Sequence, residues 1–229
     1  MAFIKPFRGI RYNLDRISDL SSVITPPYDV ISPAEQLRYY ELNPHNVIRL
    51  DYGVDEPKDT PENNKYTRAA GYVKQWIDEG LLIREDQPAF YLIRHHFTYN
   101  DHAYNRLSLM ARVKLEDLTT GCIRPHEKTM SKPREDRMRL LKACAVNFSP
   151  IMVLCRYKPD GFESLFADVI KQPAPQARDK DGVEFTMWTI TDPKRVRETI
   201  LKMQADEMLY IADGHHRYET ALNYSLERR

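Results

Sequence analysis

Five consecutive residues near the end of the chain, Asp213-Gly214-His215-His216-Arg217, are of types that handle phosphate. A guanidinium offers phosphate oxygens a planar, permanently charged fork. An imidazole donates a hydrogen bond or moves a proton near neutral pH. Glycine lets the backbone bend and a ligand approach closely. The apolar run Met208-Leu209-Tyr210-Ile211-Ala212 reads as a buried strand leading into the turn. A helix is expected from His216 onward, with Ala221 and Leu222 as core contacts. The first turn of a helix has unpaired N–H groups and the positive end of a dipole, so a strand, turn and helix in this order can cradle an anion. The bland alternative is a helix capped by Asp213 with a solvated His-Arg end. Two adjacent histidines and an arginine directly after an apolar strand favour the functional reading.

His126-Glu127-Lys128-Thr129 forms a second group, in a loop running from Thr119 to Lys132. Glu127 suits a general base for a hydroxyl or a Mg2+ ligand beside a nucleotide. Lys128 can balance phosphate charge, and Thr129 can donate to it. Arg134, Arg137 and Arg139 on the following helix would add positive field. Asp29 follows the stiff pair Pro26-Pro27 and is another candidate base or metal ligand. His126 with His215 or His216 would form a metal site if their loops met, although no spacing requires it. His95-His96 lies within a strand, where neighbours point to opposite faces, so the pair cannot chelate one ion.

These groups need a scaffold. A short strand is expected within 2–12 and an extended loop over 18–31. Ser32-Pro33-Ala34-Glu35 opens a helix with a capping box, which ends near Asn43-Pro44. Residues 47–52 read as a strand. Thr60-Pro61-Glu62 reads as the start of a second helix, stopped by Gly80. Segments 89–99 and 103–115 form a hairpin about Asn100-Asp101, with Leu107, Leu109, Ala111, Val113 and Leu115 on one face. A helix from Pro133 to Ala145, a buried strand over 151–155, a helix near 160–171, a strand over 183–190 and a helix from Asp192-Pro193 to Gln204 complete the series. The fold class is α/β or α+β, a mixed sheet with surrounding helices. One domain over 1–229 is expected, with a lobe break near 115–150. The last helix has no stop signal before Arg229, which suggests the N-terminal part of a longer protein.

With 229 residues the chain can bury a real core. Its net charge of +1 gives no general attraction to nucleic acid. Cys122, Cys144 and Cys155 are odd in number and widely spaced, which argues against a disulfide framework. No apolar run is long enough for a membrane span, and the N-terminus lacks a signal-peptide core, so a cytoplasmic protein is expected.

The stretch from Tyr210 to Ala221 resembles the signature of the ParB/sulfiredoxin superfamily, in which a strand, a Gly-x-(His/Arg)-Arg turn and a helix hold nucleotide phosphates. An archaeal ADP-dependent serine kinase of that superfamily has a similar turn. The resemblance implies ADP or ATP, with or without Mg2+, bound by Asp213, Gly214, His215, His216 and Arg217. His126 and Thr129 would assist. Glu127, Asp29 and Lys128 would act on a small hydroxyl acceptor such as serine. His215 stands where sulfiredoxins have their catalytic cysteine, so sulfinic-acid reduction is not implied. The alternative is a ParB-like nucleotide-dependent switch without catalysis. Pro26-Pro27-Tyr28-Asp29-Val30-Ile31, His126-Glu127-Lys128-Thr129, Asn147-Phe148-Ser149-Pro150-Ile151 and the 213–217 turn together resemble a bacterial family known as domain of unknown function 1015.

Overall fold

The computed structural model describes residues 3–127, 131–156, 159–203 and 208–228. These form a mixed α/β structure with several small sheets and, among the described residues, seven α-helices. No helix among them is long and apolar enough to cross a membrane. The chain divides into two compact units. One comprises Met1–Gly9, Glu85–Met130 and Ile151–Arg229, and the other Ile10–Arg84 and Ser131–Pro150.

In the first unit, four antiparallel strands lie in the order His102–Met110, Phe90–Tyr99, Glu184–Ile190, Gln176–Arg178. The hairpin expected about Asn100-Asp101 is present. Both residues have positive φ, 48° and 61°, as a two-residue turn matched to strand twist requires. Phe90, Leu92, Trp188 and Ile190 pack on Leu165 and Phe166, and Leu107, Leu109, Ala111 and Val113 join them as expected from their alternation. The helix expected near 160–171 is shorter, Pro159–Leu165.

A separate three-stranded sheet carries the candidate chemistry. Its central strand, Leu209–Asp213, pairs in parallel with Ile123–Arg124 and antiparallel with Met152–Cys155. Two expectations of full burial fail here. Tyr210 is 46 % exposed and its register partner Leu154 is 54 % exposed, so only one face of this sheet is covered. Cys122, Ile123, Leu209, Ile211 and Tyr218 form the covered face.

The second unit holds the helices Pro33–Leu42, Ile48–Asp51, Lys65–Asp78 and Ser131–Cys144. The Ser32–Glu35 capping box forms as read. Residues 47–52 are helical, not a strand. Asn46 is fully buried and its Oδ1 accepts from Ile48 N at 2.9 Å, which starts the turn. The second helix begins at Lys65, not at Thr60. Asn64 is its cap, with Thr67 closing the box, because Asn64 Oδ1 accepts from both Tyr66 N and Thr67 N. Trp76, Val73, Leu50 and Val23 form the core.

Beside that core lies a buried ionic network. Arg137 is 7 % exposed. Its Nη1 donates to Asp51 Oδ1 at 2.8 Å and to Asp51 O at 2.9 Å, and its Nη2 lies 2.5 Å from Asp136 Oδ2. The guanidinium carbon stands 3.9 Å over the Tyr28 ring. Tyr66 donates to Asp136 at 2.8 Å, and Ser149 donates to Asp51 at 2.5 Å. Burial alone would raise the Asp136 carboxyl, but the charge and hydrogen bonds of Arg137, with Tyr66 and Lys65, hold it below the usual range. Arg137 is therefore committed to two carboxylates and does not supply the open positive field expected of it. The cavity between Asp51, Lys65, Tyr66 and Arg137 is about 10 Å³, room for about one water.

Removing one partner of a buried pair strands the other charge, at a cost of about 3–5 kcal/mol. Asp51→Asn should lower the free energy of unfolding by that order, read as a lower urea midpoint. A single variant within about 0.5 kcal/mol of the parent in urea unfolding would show that the network does not hold this unit together.

Candidate functional site

Parallel pairing brings two motifs to one end of a sheet. Ile123–Arg124 and Leu209–Asp213 run in the same direction, with Ile123 beside Leu209 and Arg124 beside Tyr210. The residues that leave each strand therefore emerge side by side. Pro125-His126-Glu127 follows one strand and Gly214-His215-His216-Arg217 the other.

The exit of the central strand is bent. Ile211 pairs with Val153 and Asp213 with Met152, so Ala212 is an extra residue, a bulge. Bulges re-aim a strand and end its pairing. Gly214 follows with φ 89° and ψ 30°, in the left-handed region that favours glycine, and caps the helix His215–Glu227. The bland alternative of a helix capped by Asp213 does not form, since Gly214 occupies that position. Gly214 has no side chain with which to cap the helix, and the first intrahelical bond runs from Tyr218 N to Gly214 O at 2.9 Å.

The Asp213 carboxylate instead pairs with Arg217 Nη2 at 2.5 Å. Arg217 lies flat over the turn, and a Cβ on Gly214 would stand 3.0 Å from Nε and 3.1 Å from Cζ. The arginine expected to reach a phosphate is thus partly neutralised, and Gly214 is needed for close packing as well as for φ. Tyr218 anchors the helix from below. It is 3 % exposed, its hydroxyl donates to Glu116 O at 2.8 Å, and it accepts from Glu116 N at 2.9 Å.

His126 and His215 meet in an edge-on ring contact, with centroids 4.5 Å apart. The His126 ring is oriented by Nδ1, which lies 2.7 Å from the Ile211 carbonyl and donates to it, leaving Nε2 as the free nitrogen. His126 N donates to His215 Nε2 across a long 3.4 Å. His215 is 2 % exposed, and its Nδ1 stands 2.9 Å from Glu127 Oε1. That distance would suit a hydrogen bond, but the carboxylate lies off the line of the ring N–H. Nδ1 therefore has no hydrogen-bond partner among the described residues, and the same holds for the buried Nδ1 of His216. His126, Glu127 and His215 each offer one ligand atom, all within 4.8 Å of one another.

The structure thus gathers His126, Glu127, Asp213, Gly214, His215, His216 and Arg217 into one locality. Lys128 and Thr129 lie outside the described residues. Asp29 belongs to the other unit, in the 3-10 turn Tyr28–Val30, exposed and with no hydrogen bond or ion pair among the described residues. Two contributors escaped sequence reasoning, the Ile211 carbonyl and Tyr218. A backbone acceptor leaves no trace in residue type. A tyrosine four residues after a glycine turn was a visible signal, but only its packing gives it a role.

Burial pushes the His215 imidazole below its ordinary value near 6.5, and the Glu127 carboxylate, which pulls it upward, does not offset this. A depressed histidine binds fewer protons in the folded state than in the unfolded one. Its contribution to stability is therefore present above about pH 6.5 and is lost as pH falls towards the lower folded value. NMR titration of the ring should place the His215 midpoint below that of a free histidine, and Glu127→Gln should lower it further. A midpoint at or above 6.5 would contradict the buried, incompletely compensated environment.

No curated protein and no solved structure matches this chain. The model of one protein family does, over residues 4–229. That span takes in both motifs that meet at the sheet end and both that meet around Arg137. The chain belongs to the family described as Protein of unknown function (DUF1015).

Proposed function

We propose that the 213–217 turn binds the phosphates of a nucleotide, ADP or ATP, and that the protein transfers a phosphoryl group to a small hydroxyl compound such as serine. The observation that carries the reading is the closure of the His126-Glu127 loop on the start of the His215–Glu227 helix, with Glu127 Oε1 2.9 Å from His215 Nδ1. Phosphoryl transfer depends on positioning and charge compensation more than on covalent chemistry. The helix start follows a left-handed glycine with no side chain to cap it, an arrangement that suits phosphate oxygens once the Arg217 side chain over Gly214 turns to the ligand. Arg217, now paired with Asp213 at 2.5 Å, exchanges that carboxylate for a phosphate oxygen in this reading. Glu127 is exposed and lies beside the turn, where it takes the proton of the acceptor hydroxyl or holds the cation that accompanies the phosphates. The likeness of the turn to the ParB/sulfiredoxin signature supports the nucleotide part of the reading, and the serine kinase within that superfamily supports the acceptor class.

Calorimetric titration with ADP, ATP, CTP and GTP, with and without Mg2+, should show saturable binding of an adenine nucleotide. Losing a charged hydrogen bond costs about 1.5–3 kcal/mol, so Arg217→Ala should weaken Kd by roughly 10- to 100-fold. Glu127→Gln should retain that affinity while turnover of a serine-like acceptor falls by about 100- to 10,000-fold. Nucleotide binding unchanged by Arg217→Ala would remove the turn from the phosphate site. Turnover unchanged by Glu127→Gln would remove Glu127 from the chemistry, and nucleotide-dependent dimerisation without turnover would favour a switch.

A further inference from the structure

The side chains around the turn are better arranged for a cation than for a bare anion. Among the described residues, the Asp213 carboxylate is paired with the Arg217 guanidinium, and the Glu127 carboxylate stands beside His215. His215 presents a buried nitrogen with no hydrogen-bond partner, within 3 Å of a carboxylate oxygen that is not in line with it. Two atoms that approach without bonding to each other are the arrangement expected of ligands sharing a third atom. Ligands held about 2.0–2.2 Å from one ion at tetrahedral or octahedral angles stand about 2.8–3.6 Å apart. The observed Nδ1 to Oε1 separation is 2.9 Å, and the three ligand atoms lie within 4.8 Å of one another, so His126 or its partners move by about an ångström to close on the ion.

His126 supplies the second nitrogen, and it is oriented as metal-bound histidines are. Its Nδ1 donates to the Ile211 carbonyl at 2.7 Å, which fixes the tautomer and leaves Nε2 with its lone pair free. The geometry points to a divalent transition ion of the Zn2+ class held by His126, Glu127 and His215. Two imidazoles and one carboxylate select such an ion over Mg2+, which prefers oxygen ligands and keeps several waters. Three protein ligands leave a further position for a water or a phosphate oxygen, the pattern of catalytic and not of purely structural zinc sites. Without the ion, the long bond from His126 N to His215 Nε2 puts the ring proton of the neutral imidazole on Nδ1. Ion binding therefore moves that proton to Nε2, at the expense of a contact that is already 3.4 Å long. With the ion present, Glu127 is a ligand and is not available as a base.

The inference concerns the ion alone and does not depend on which nucleotide, or whether any nucleotide, binds the turn. The test is titration of the chelator-stripped full chain with Co2+ and Zn2+ in the absence of nucleotide, followed by the visible Co2+ spectrum and by calorimetry. One equivalent should bind, with the spectrum of a nitrogen and oxygen site, and Mg2+ should not compete at a hundredfold excess. Glu127→Gln, a change at an exposed loop residue, and His126→Asn should each weaken Co2+ by at least roughly 10- to 100-fold, the range seen when even indirect supports of a metal site are lost. His96→Asn, in the distant hairpin, should leave affinity unchanged. Failure of the parent to bind either ion saturably would overturn the inference. So would retention of full affinity in both loop variants, or a thiolate charge-transfer band showing that the ion sits on cysteine. Nucleotide titration of the metal-free protein, with Arg217→Ala as its control, separately tests the phosphate reading.

Discussion

The candidate site depends on one short parallel pairing. Ile123–Arg124 and Leu209–Tyr210 share only a few backbone hydrogen bonds, yet their common direction places both strand exits at the same sheet end. Groups at the carboxyl ends of parallel strands converge, and ligand sites in α/β proteins recur there for that reason. Were Ile123–Arg124 antiparallel to its neighbour, His126 and Glu127 would leave at the opposite end, about the length of a strand away from the turn. The pairing is held by more than its own bonds. Leu209 N donates to Cys122 O at 2.9 Å, and Glu116 Oε2 accepts from Cys122 N at 3.0 Å. Tyr218 then ties the helix that follows the turn to the backbone of the same Glu116.

Each local irregularity has a positional consequence. The bulge at Ala212 bends the strand out of its pairing with Met152–Cys155. Gly214 completes the bend through a left-handed backbone that a residue with Cβ adopts only at a cost. Arg217 folds back on Asp213 across the space a Cβ would fill. His215 is driven inward to 2 % exposure, which removes water from its ring and leaves Glu127 as the nearest carboxylate to its Nδ1. Exposed carboxylates thus stand beside a buried imidazole at the start of the helix.

The four motifs on which the resemblance rests fall into two clusters. His126-Glu127 and the 213–217 turn meet at the sheet end of the first unit. Tyr28, from the Pro26-Pro27 segment, and Ser149, from the Asn147–Ile151 segment, meet around Arg137 and Asp51 in the second. Motif status alone therefore does not separate chemistry from architecture. Burial does, because Arg137 is enclosed by partners that fully occupy it, whereas Glu127 is open to solvent and His215 is incompletely satisfied.

Much of the local structure was legible in the residues themselves. The Ser32 capping box, the Asn100-Asp101 hairpin turn, the stop at Gly80 and the strand-turn-helix at 209–227 all rest on interactions within a few residues. The site residues of the turn were legible for the same reason. Helical residues 48–51 and the helix start at Lys65 were not, because a buried Asn46 and a capping Asn64 outweighed β-branched and proline signals. Only the tertiary structure decided that His126 and Glu127 join His215, that Arg137 is consumed by Asp51 and Asp136, and that Arg217 rests on Asp213. Backbone conformation follows from short-range sterics and hydrogen bonds that a sequence window contains. Which side chains share a charge, a metal ion or a buried nitrogen follows from strand direction and burial, which bring together residues nearly ninety positions apart.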